Sequence, residues 1–236
     1  MNLLKLLNFL KGEFANWSKL ETIFFPIIIL FITIISILKS DNIIALISAI
    51  CGITYTIFAG KGKISCYFYG IIATLCYSYL AYKNAFWGNL VLNLFYYFPL
   101  SIIGVFLWKK HIKKDKQEIQ KTKLSNHKRI FYLTLTLLIT VVMAQIFVAF
   151  NDSSAYLDSF TTVFSGLGMF LTVKRCIEQW YVWFFVNLFS AYMWFQAYLN
   201  GGDCMAVVLK WLVYAFLAVY FLHKWNNELK TNHSIN

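Results

Sequence analysis

The sequence predicts an all-α integral membrane protein of about eight transmembrane helices in parallel three-helix repeats, ordered one, three, one, three. Three observations predict it. Of 236 residues, 60% are hydrophobic, 19% aromatic and only 13% charged, with two prolines, more apolar surface than a soluble domain of this size needs. The apolar residues gather in runs near the roughly 20 helical residues that a bilayer requires. The basic residues fall almost entirely on one side of those runs. In lipid every backbone polar group must be satisfied within the segment, so such runs form helices rather than open strands.

In chain order, Leu3, Leu7, Leu10, Phe14 and Trp17 recur at helical spacing. That pattern predicts an amphipathic helix on the inner membrane surface. No cleavable secretion signal is expected, because the apolar segment after Lys5 is short and no small-residue cleavage site follows the first long run. Spans are predicted at 22–38, 43–59, 64–82, 86–108, 130–150, 156–173, 177–199 and 204–222, the first two being short. Pro99 lies inside the fourth; it removes a backbone donor, frees the carbonyl of Phe95 and predicts a kink.

The net charge is +11. With the 109–129 segment placed inside, Lys and Arg divide 18 on the cytoplasmic side and 2 outside (Lys39 and Lys83), with Lys210 within a span. This is the positive-inside pattern. It places both termini in the cytoplasm and argues against nucleic acid as the partner of the charge. The run "KKHIKKDKQEIQKTKLSNHKR" is expected to be a solvated linker near anionic lipid. Cys51, Cys66, Cys76, Cys176 and Cys204 form no CxxC pair and read as small packing residues.

At a constant offset of 113 residues, Lys61, Ile64, Tyr67, Thr74 and Tyr79 align with Lys174, Ile177, Trp180, Asn187 and Tyr192. Trp108 and Trp225 close their segments at a slightly longer offset. The expected domains are therefore 1–40 (interfacial helix and extra span), 41–108 (first repeat), 109–129 (linker), 130–150 (linking helix), 151–225 (second repeat) and 226–236 (tail). Three-helix units are odd, so a lone linking helix restores the starting side and the repeats run parallel, as in SWEET transporters.

Polar groups inside a bilayer are costly and face a cavity or another helix. Asn89, Asn93 and Tyr97 are spaced four apart and share a helical face. Trp183 and Asn187 do the same near mid-depth of the seventh run, flanked by Trp180 and Tyr181. An indole face attracts flat or cationic rings, and an amide offers two donors and an acceptor. The pair suits a small, flat, polar molecule. Interhelical glue is the alternative for each amide, and it is the preferred reading for Gln145 and Gln196. Lys210 is expected to snorkel outward; Asp158 is a weak candidate for ion coupling near an interface; Trp180 and Trp194 also fit aromatic belts.

Several chemistries are excluded. The two arginines, Arg129 and Arg175, lie at the cytoplasmic edge, so no bidentate phosphate clamp is expected at mid-depth. All four histidines lie outside the spans and no HExxH occurs, so no metal or other cofactor is expected. There is no GxxxxGK[ST] loop for ATP. An integral membrane enzyme would need an acid–base cluster that the spans do not offer.

The segment "LDSFTTVFSGLGMFLTVKRCIEQWYVWFFVNLFSAYMW" resembles the second half of the Pnu family of bacterial vitamin transporters. The resemblance rests on Leu157-Asp158, Lys174-Arg175, Glu178, Trp180 and the WxxxN pair Trp183 and Asn187. "WGNLVLNLFYYFPLSIIGVFLW" resembles the first-half span that closes on GxxxW, here Gly104 and Trp108. The resemblance covers about residues 43–225. It implies facilitated diffusion of nicotinamide riboside, or of thiamine, riboflavin or another small polar ring compound, across the bacterial inner membrane. It also implies trapping by a soluble cytoplasmic riboside kinase and a homotrimer. Spacing and resemblance together give the expected substrate-binding residues as Trp183, Asn187, Asn93, Tyr97, Trp180 and Asn89. The pattern departs in one place: the amide expected near Met169 is absent, and Gly168-Met169 stands there.

Overall fold

Every predicted apolar run forms a helix. The computed structural model describes residues 12–14, 17–39, 42–83, 87–113, 118–150, 155–200 and 205–233. Among these, α1 is Lys19–Leu38, α2 Ile43–Gly60 and α3 Cys66–Lys83. The helix α4 runs through three consecutive parts, Trp87–Leu92, Asn93–Tyr97 and Phe98–Lys109. Then come α5 (Asn126–Ala149), α6 (Ala155–Val173), α7 (Gln179–Leu199) and α8 (Met205–His233). Five segments, in α1, α2, α4, α5 and α8, are long and apolar enough to cross a membrane on length and composition alone. The other three helices, α3, α6 and α7, carry the tyrosines, hydroxyls and amides of an internal cavity, which dilutes their apolar character.

Local chemistry fixes the ends. Ser18 Oγ accepts the Glu21 N–H at 3.1 Å, and the Glu21 carboxylate accepts the Ser18 N–H at 2.7 Å. This reciprocal box satisfies two orphan donors at the start of α1. Asn42 Oδ1 accepts the Ile44 N–H at 2.8 Å and starts α2. The disturbance expected at Pro99 is seen in the turn before it. The residues before it, Asn93–Tyr97, form a π-helical turn, and the Phe98 N–H donates to the Asn93 carbonyl. The extra residue in that turn absorbs the donor that proline lacks. Helix α8 extends past the predicted 222 because Trp225 and Glu228, beyond the apolar run, pack on the bundle end.

Helix α2 packs on α3 and α3 on α4; α6 packs on α7 and α7 on α8. Two further contacts, α4 with α6 and α8 with α2, close these six helices into a ring. Outside the ring, α1 lies against α2 and α8, and α5 lies against α6.

One end of the bundle corrects the expectation of a solvated linker. Strands β1 (Ile112–Lys113) and β2 (Glu118–Ile119) pair antiparallel, and residues 118–124 cross the bundle end as a strap. The Ile119 N–H donates to the Gly62 carbonyl at 3.0 Å, and the Thr122 N–H to the Arg175 carbonyl at 2.9 Å. The Ile177 N–H donates back to the Thr122 carbonyl at 2.9 Å. Glu178 accepts from the Leu124 N–H and the Arg129 guanidinium, and Lys121 pairs with Glu228. Gly62 (φ 70°) and Arg175 (φ 61°) are both left-handed, 113 positions apart. Both turns present backbone groups that need partners, and the strap supplies them, which is why Glu118 and Ile119 are buried.

The same end holds a buried charge cluster. The Glu21 carboxylate accepts from Lys61 Nζ at 2.9 Å, Lys224 Nζ at 2.6 Å and Tyr220 OH at 2.8 Å. Burial pulls the Lys61 ammonium down to about 8, with the neighbouring Lys224 adding to the effect. Trp108 Nε1 donates to the Thr172 carbonyl at 3.2 Å, and Trp225 Nε1 to the Gly60 carbonyl at 2.6 Å. Each tryptophan thus satisfies an open carbonyl at the end of a helix in the other half of the chain.

Of the predicted N-terminal amphipathic helix, residues 1–11 lie outside the described residues. The described part tucks into the bundle: Trp17 packs edge-on against Phe25 and Phe58, and Lys63 Nζ donates to the Gly12 carbonyl at 2.9 Å. Cys51, Cys66, Cys76 and Cys176 are free thiols; Cys204 lies outside the described residues.

Candidate functional site

The ring of helices surrounds a cavity of about 740 Å³ lined from α2, α3, α4, α6, α7 and α8, with Phe147 of α5 and Phe150 at its end also lining it. Helix α7 supplies one wall. Trp180, Trp183, Asn187 and Ser190 follow one another at three- and four-residue steps and all face the cavity, as residues on one helical face must.

Trp183 is held in place by α6. Its Nε1 donates to Thr172 Oγ1 at 3.1 Å, and Thr172 Oγ1 in turn donates to the Gly168 carbonyl at 2.9 Å. The indole lies directly on Gly168, where an added Cβ would stand 2.9 Å from Trp183 Cε2. Only a glycine lets the ring sit that close to the helix. Trp180 is 2% exposed, tilted against Phe221 at 5.4 Å and edge-on to Trp225 at 5.5 Å. Its burial in the bundle corrects the aromatic-belt reading; Trp194 also lines the cavity rather than a belt.

Asn187 is 3% exposed, and its buried Oδ1 has no hydrogen-bond partner among the described residues. The indole nitrogens of Trp180 and Trp211 are in the same condition, and both residues line the cavity. A buried polar group left unmatched costs about 1–3 kcal/mol. The site therefore holds an acceptor and two donors that a polar ligand would satisfy.

The facing wall comes from the π-helical turn of α4. Asn93 is 5% exposed and lines the cavity together with Tyr97. Tyr96 OH donates to the Gly166 carbonyl at 2.8 Å and ties this turn to α6. The Tyr97 side chain hydrogen-bonds Ser165. Met169, at the position where an amide was expected, is buried and receives the Tyr55 hydroxyl on its sulfur at 3.8 Å.

Trp180, Trp183, Asn187, Asn93 and Tyr97, far apart in sequence, thus share one cavity. The Asn89 side chain lies outside the described residues. Gln145 and Gln196 are exposed away from the cavity. Lys210 departs from expectation. It does not snorkel outward but is 5% exposed and lines the cavity, with Nζ 4.8 Å from the Tyr77 ring and 5.1 Å from the Trp211 ring. Asp158 also lines the cavity. Tyr55, Tyr77 and Tyr214 line it too and escaped sequence reading, because tyrosine in a span reads as ordinary packing. Thr74 was signalled by its alignment with Asn187 at the 113-residue offset. Among the described residues no group of three or more His, Cys, Asp or Glu is placed to hold a metal.

A family model described as "Nicotinamide mononucleotide transporter" matches residues 42–227. The chain belongs to this family. Its members are transporters, and the chain is accordingly a multi-pass membrane transporter rather than an enzyme. The chain is similar to nicotinamide riboside transporters PnuC from three bacteria. It is 26% identical to that of Neisseria mucosa over 222 residues, covering 92% of this chain and 84% of the relative. It is 28% identical to that of Haemophilus influenzae over 224 residues, covering 94% and 96%. It is 22% identical to that of Escherichia coli over 209 residues, covering 78% and 85%. Among solved structures, it is similar to the crystal structure of the vitamin B3 transporter PnuC. The TM-score is 0.85 at 26% identity, covering 95% of this chain and 98% of that one.

Proposed function

We propose that this transporter carries unphosphorylated nicotinamide riboside across the bacterial cytoplasmic membrane by facilitated diffusion. The observation that carries the reading is the unpartnered Oδ1 of Asn187 one helical turn from the Trp183 indole in the same cavity. A pyridinium ring stacks on Trp183, an attraction of about 2 kcal/mol when desolvated. Its carboxamide N–H donates to Asn187 Oδ1. Asn93 and Tyr97 take the ribose hydroxyls, and Trp180 closes the wall. The names of the relatives support the riboside as ligand.

The family description names the mononucleotide. The lining offers a phosphorylated cargo no bidentate clamp: no arginine is among the residues that line the cavity, where Lys210 is the cation present. The chain carries no ATP-binding loop. Net uptake then depends on consumption inside, by a soluble kinase that phosphorylates the riboside.

Two three-helix repeats, spanning 41–108 and 151–225, surround the cavity, with α5 joining them and α1 appended. The matched left-handed turns at Gly62 and Arg175 and the reciprocal tryptophan bonds of Trp108 and Trp225 support this division. The end that gathers Lys61, Lys63, Lys121 and Arg129 faces the cytoplasm, with both termini, under the positive-inside rule. Assembly as a homotrimer is proposed on the family resemblance.

Calorimetry on the purified protein tests the substrate. Nicotinamide riboside is expected to bind, and nicotinamide mononucleotide to bind far more weakly. Thiamine or riboflavin binding in place of the riboside would move the substrate while keeping the carrier. Equal binding of riboside and mononucleotide would refute the unphosphorylated reading.

A further inference from the structure

We propose that Lys210 is a charge selector in the outer half of the cavity: it occupies the aromatic faces of Tyr77 and Trp211 and so denies them to a cationic ring. The inference rests on the substrate reading above and deepens it.

The ammonium of Lys210 lies 4.8 Å from the centre of the Tyr77 ring and 5.1 Å from that of Trp211. The side chain is 5% exposed and lines the cavity. Among the described residues no carboxylate stands within ion-pair distance of it. A buried ammonium without a counter-charge is costly, and a methionine would fill the same space without that cost. The charge therefore has a role that packing does not explain. Two aromatic faces converging on one point are what a desolvated pyridinium seeks; here a resident cation already holds them.

The position along the membrane gives this its effect. Helix α7 ends at Leu199 and α8 begins at Met205, and the two pack together. Lys210 lies near the start of α8 and Asn187 well before the end of α7. At 1.5 Å per helical residue they are separated by about 10 Å along the bundle. Trp183 lies one turn further from that end, about 16 Å from Lys210 along the bundle, and at that distance a fixed positive charge weakens the binding of a pyridinium on Trp183 by about fivefold at an effective dielectric near 20. A cationic ligand thus has one aromatic station, at Trp183, and an outer half that pushes it away. An uncharged ligand of the same shape meets no such penalty.

The test compares two ligands of nearly identical shape: nicotinamide riboside, a cation, and its uncharged dihydro form. Binding of each is measured by calorimetry to the full-length wild type, to Lys210→Met and to Lys210→Arg. Lys210→Met is expected to raise affinity for the cation about fivefold and to leave the uncharged ligand within about twofold. Lys210→Arg is expected to match the wild type for both. The field of Asp158 acts on every variant alike and cancels in the ratio. Should Lys210→Met fail to fold, Lys210→Gln provides the neutral variant. If the neutral variant shifts both ligands equally, or neither, Lys210 is a packing residue and the inference falls. If the wild type binds neither ligand, the substrate reading itself fails and the inference falls with it.

Discussion

Gly168→Ala probes how tightly the site is built. The added methyl would stand 2.9, 3.0 and 3.1 Å from three atoms of the Trp183 indole. Ordinary contact begins near 3.4 Å, so the ring must retreat by about 0.5 Å or more, or α6 must yield. Overpacking of this kind costs about 1–3 kcal/mol. Retreat also stretches the 3.1 Å bond from Trp183 Nε1 to Thr172, a contact worth about 1 kcal/mol. A ligand stacked on the indole then loses its alignment with Asn187. Together these effects predict a loss of riboside affinity of about tenfold to a hundredfold, where each tenfold corresponds to about 1.4 kcal/mol. Calorimetric titration of Gly168→Ala against the wild type reads the loss, and a thermal melt in the same detergent shows that the protein remains folded. Unchanged affinity in a folded Gly168→Ala protein would refute the placement of the ligand on Trp183.

Three further outcomes follow from the same geometry. Asn187→Leu removes an acceptor that has no partner among the described residues, so riboside affinity should fall by about tenfold or more while thermal stability holds or rises; a large loss of stability would mark Asn187 as interhelical glue. Glu21→Ala leaves the buried Lys61 ammonium without its counter-ion and should cost about 3–5 kcal/mol, a fall of roughly 10 °C in the melting temperature; a change of a degree or two would show that the cluster carries little. Glu178→Ala strips the acceptor from the Leu124 N–H and from Arg129, so amide exchange along 118–124 should quicken by about tenfold or more; exchange unchanged from the wild type would show that the strap is held by other contacts.

The helices were legible because lipid leaves the backbone no other way to satisfy its hydrogen bonds, and the helix positions follow from apolar runs alone. Trp183 and Asn187 were legible for a related reason: an amide beside an indole at four-residue spacing inside such a run needs an explanation. The strap was not. Its residues are basic and polar, which reads as solvated, and only the left-handed turns at Gly62 and Arg175 create the carbonyl acceptors that bind it. Arg175 carries no sequence signal for that conformation, which glycine usually adopts. Lys210 was misread because a lysine two turns inside a span has room to snorkel in principle. Its direction depends on Tyr77 from another helix, a pairing that sequence spacing does not record. The π-helical turn at Asn93–Tyr97 was half legible: Pro99 announced a disturbance, but the Tyr96 bond to Gly166 of α6 joins residues 70 apart, which helical spacing does not record.

The central claim is passive carriage of the unphosphorylated riboside, and transport by the protein alone tests it most directly. Purified protein is placed in liposomes that contain no kinase, and labelled nicotinamide riboside is added outside. The account predicts entry that stops when inside and outside concentrations are equal, with no entry of the mononucleotide, and continued uptake once a riboside kinase and ATP are enclosed. Accumulation of the riboside above the outside concentration without a kinase, or equal entry of the mononucleotide, would contradict it.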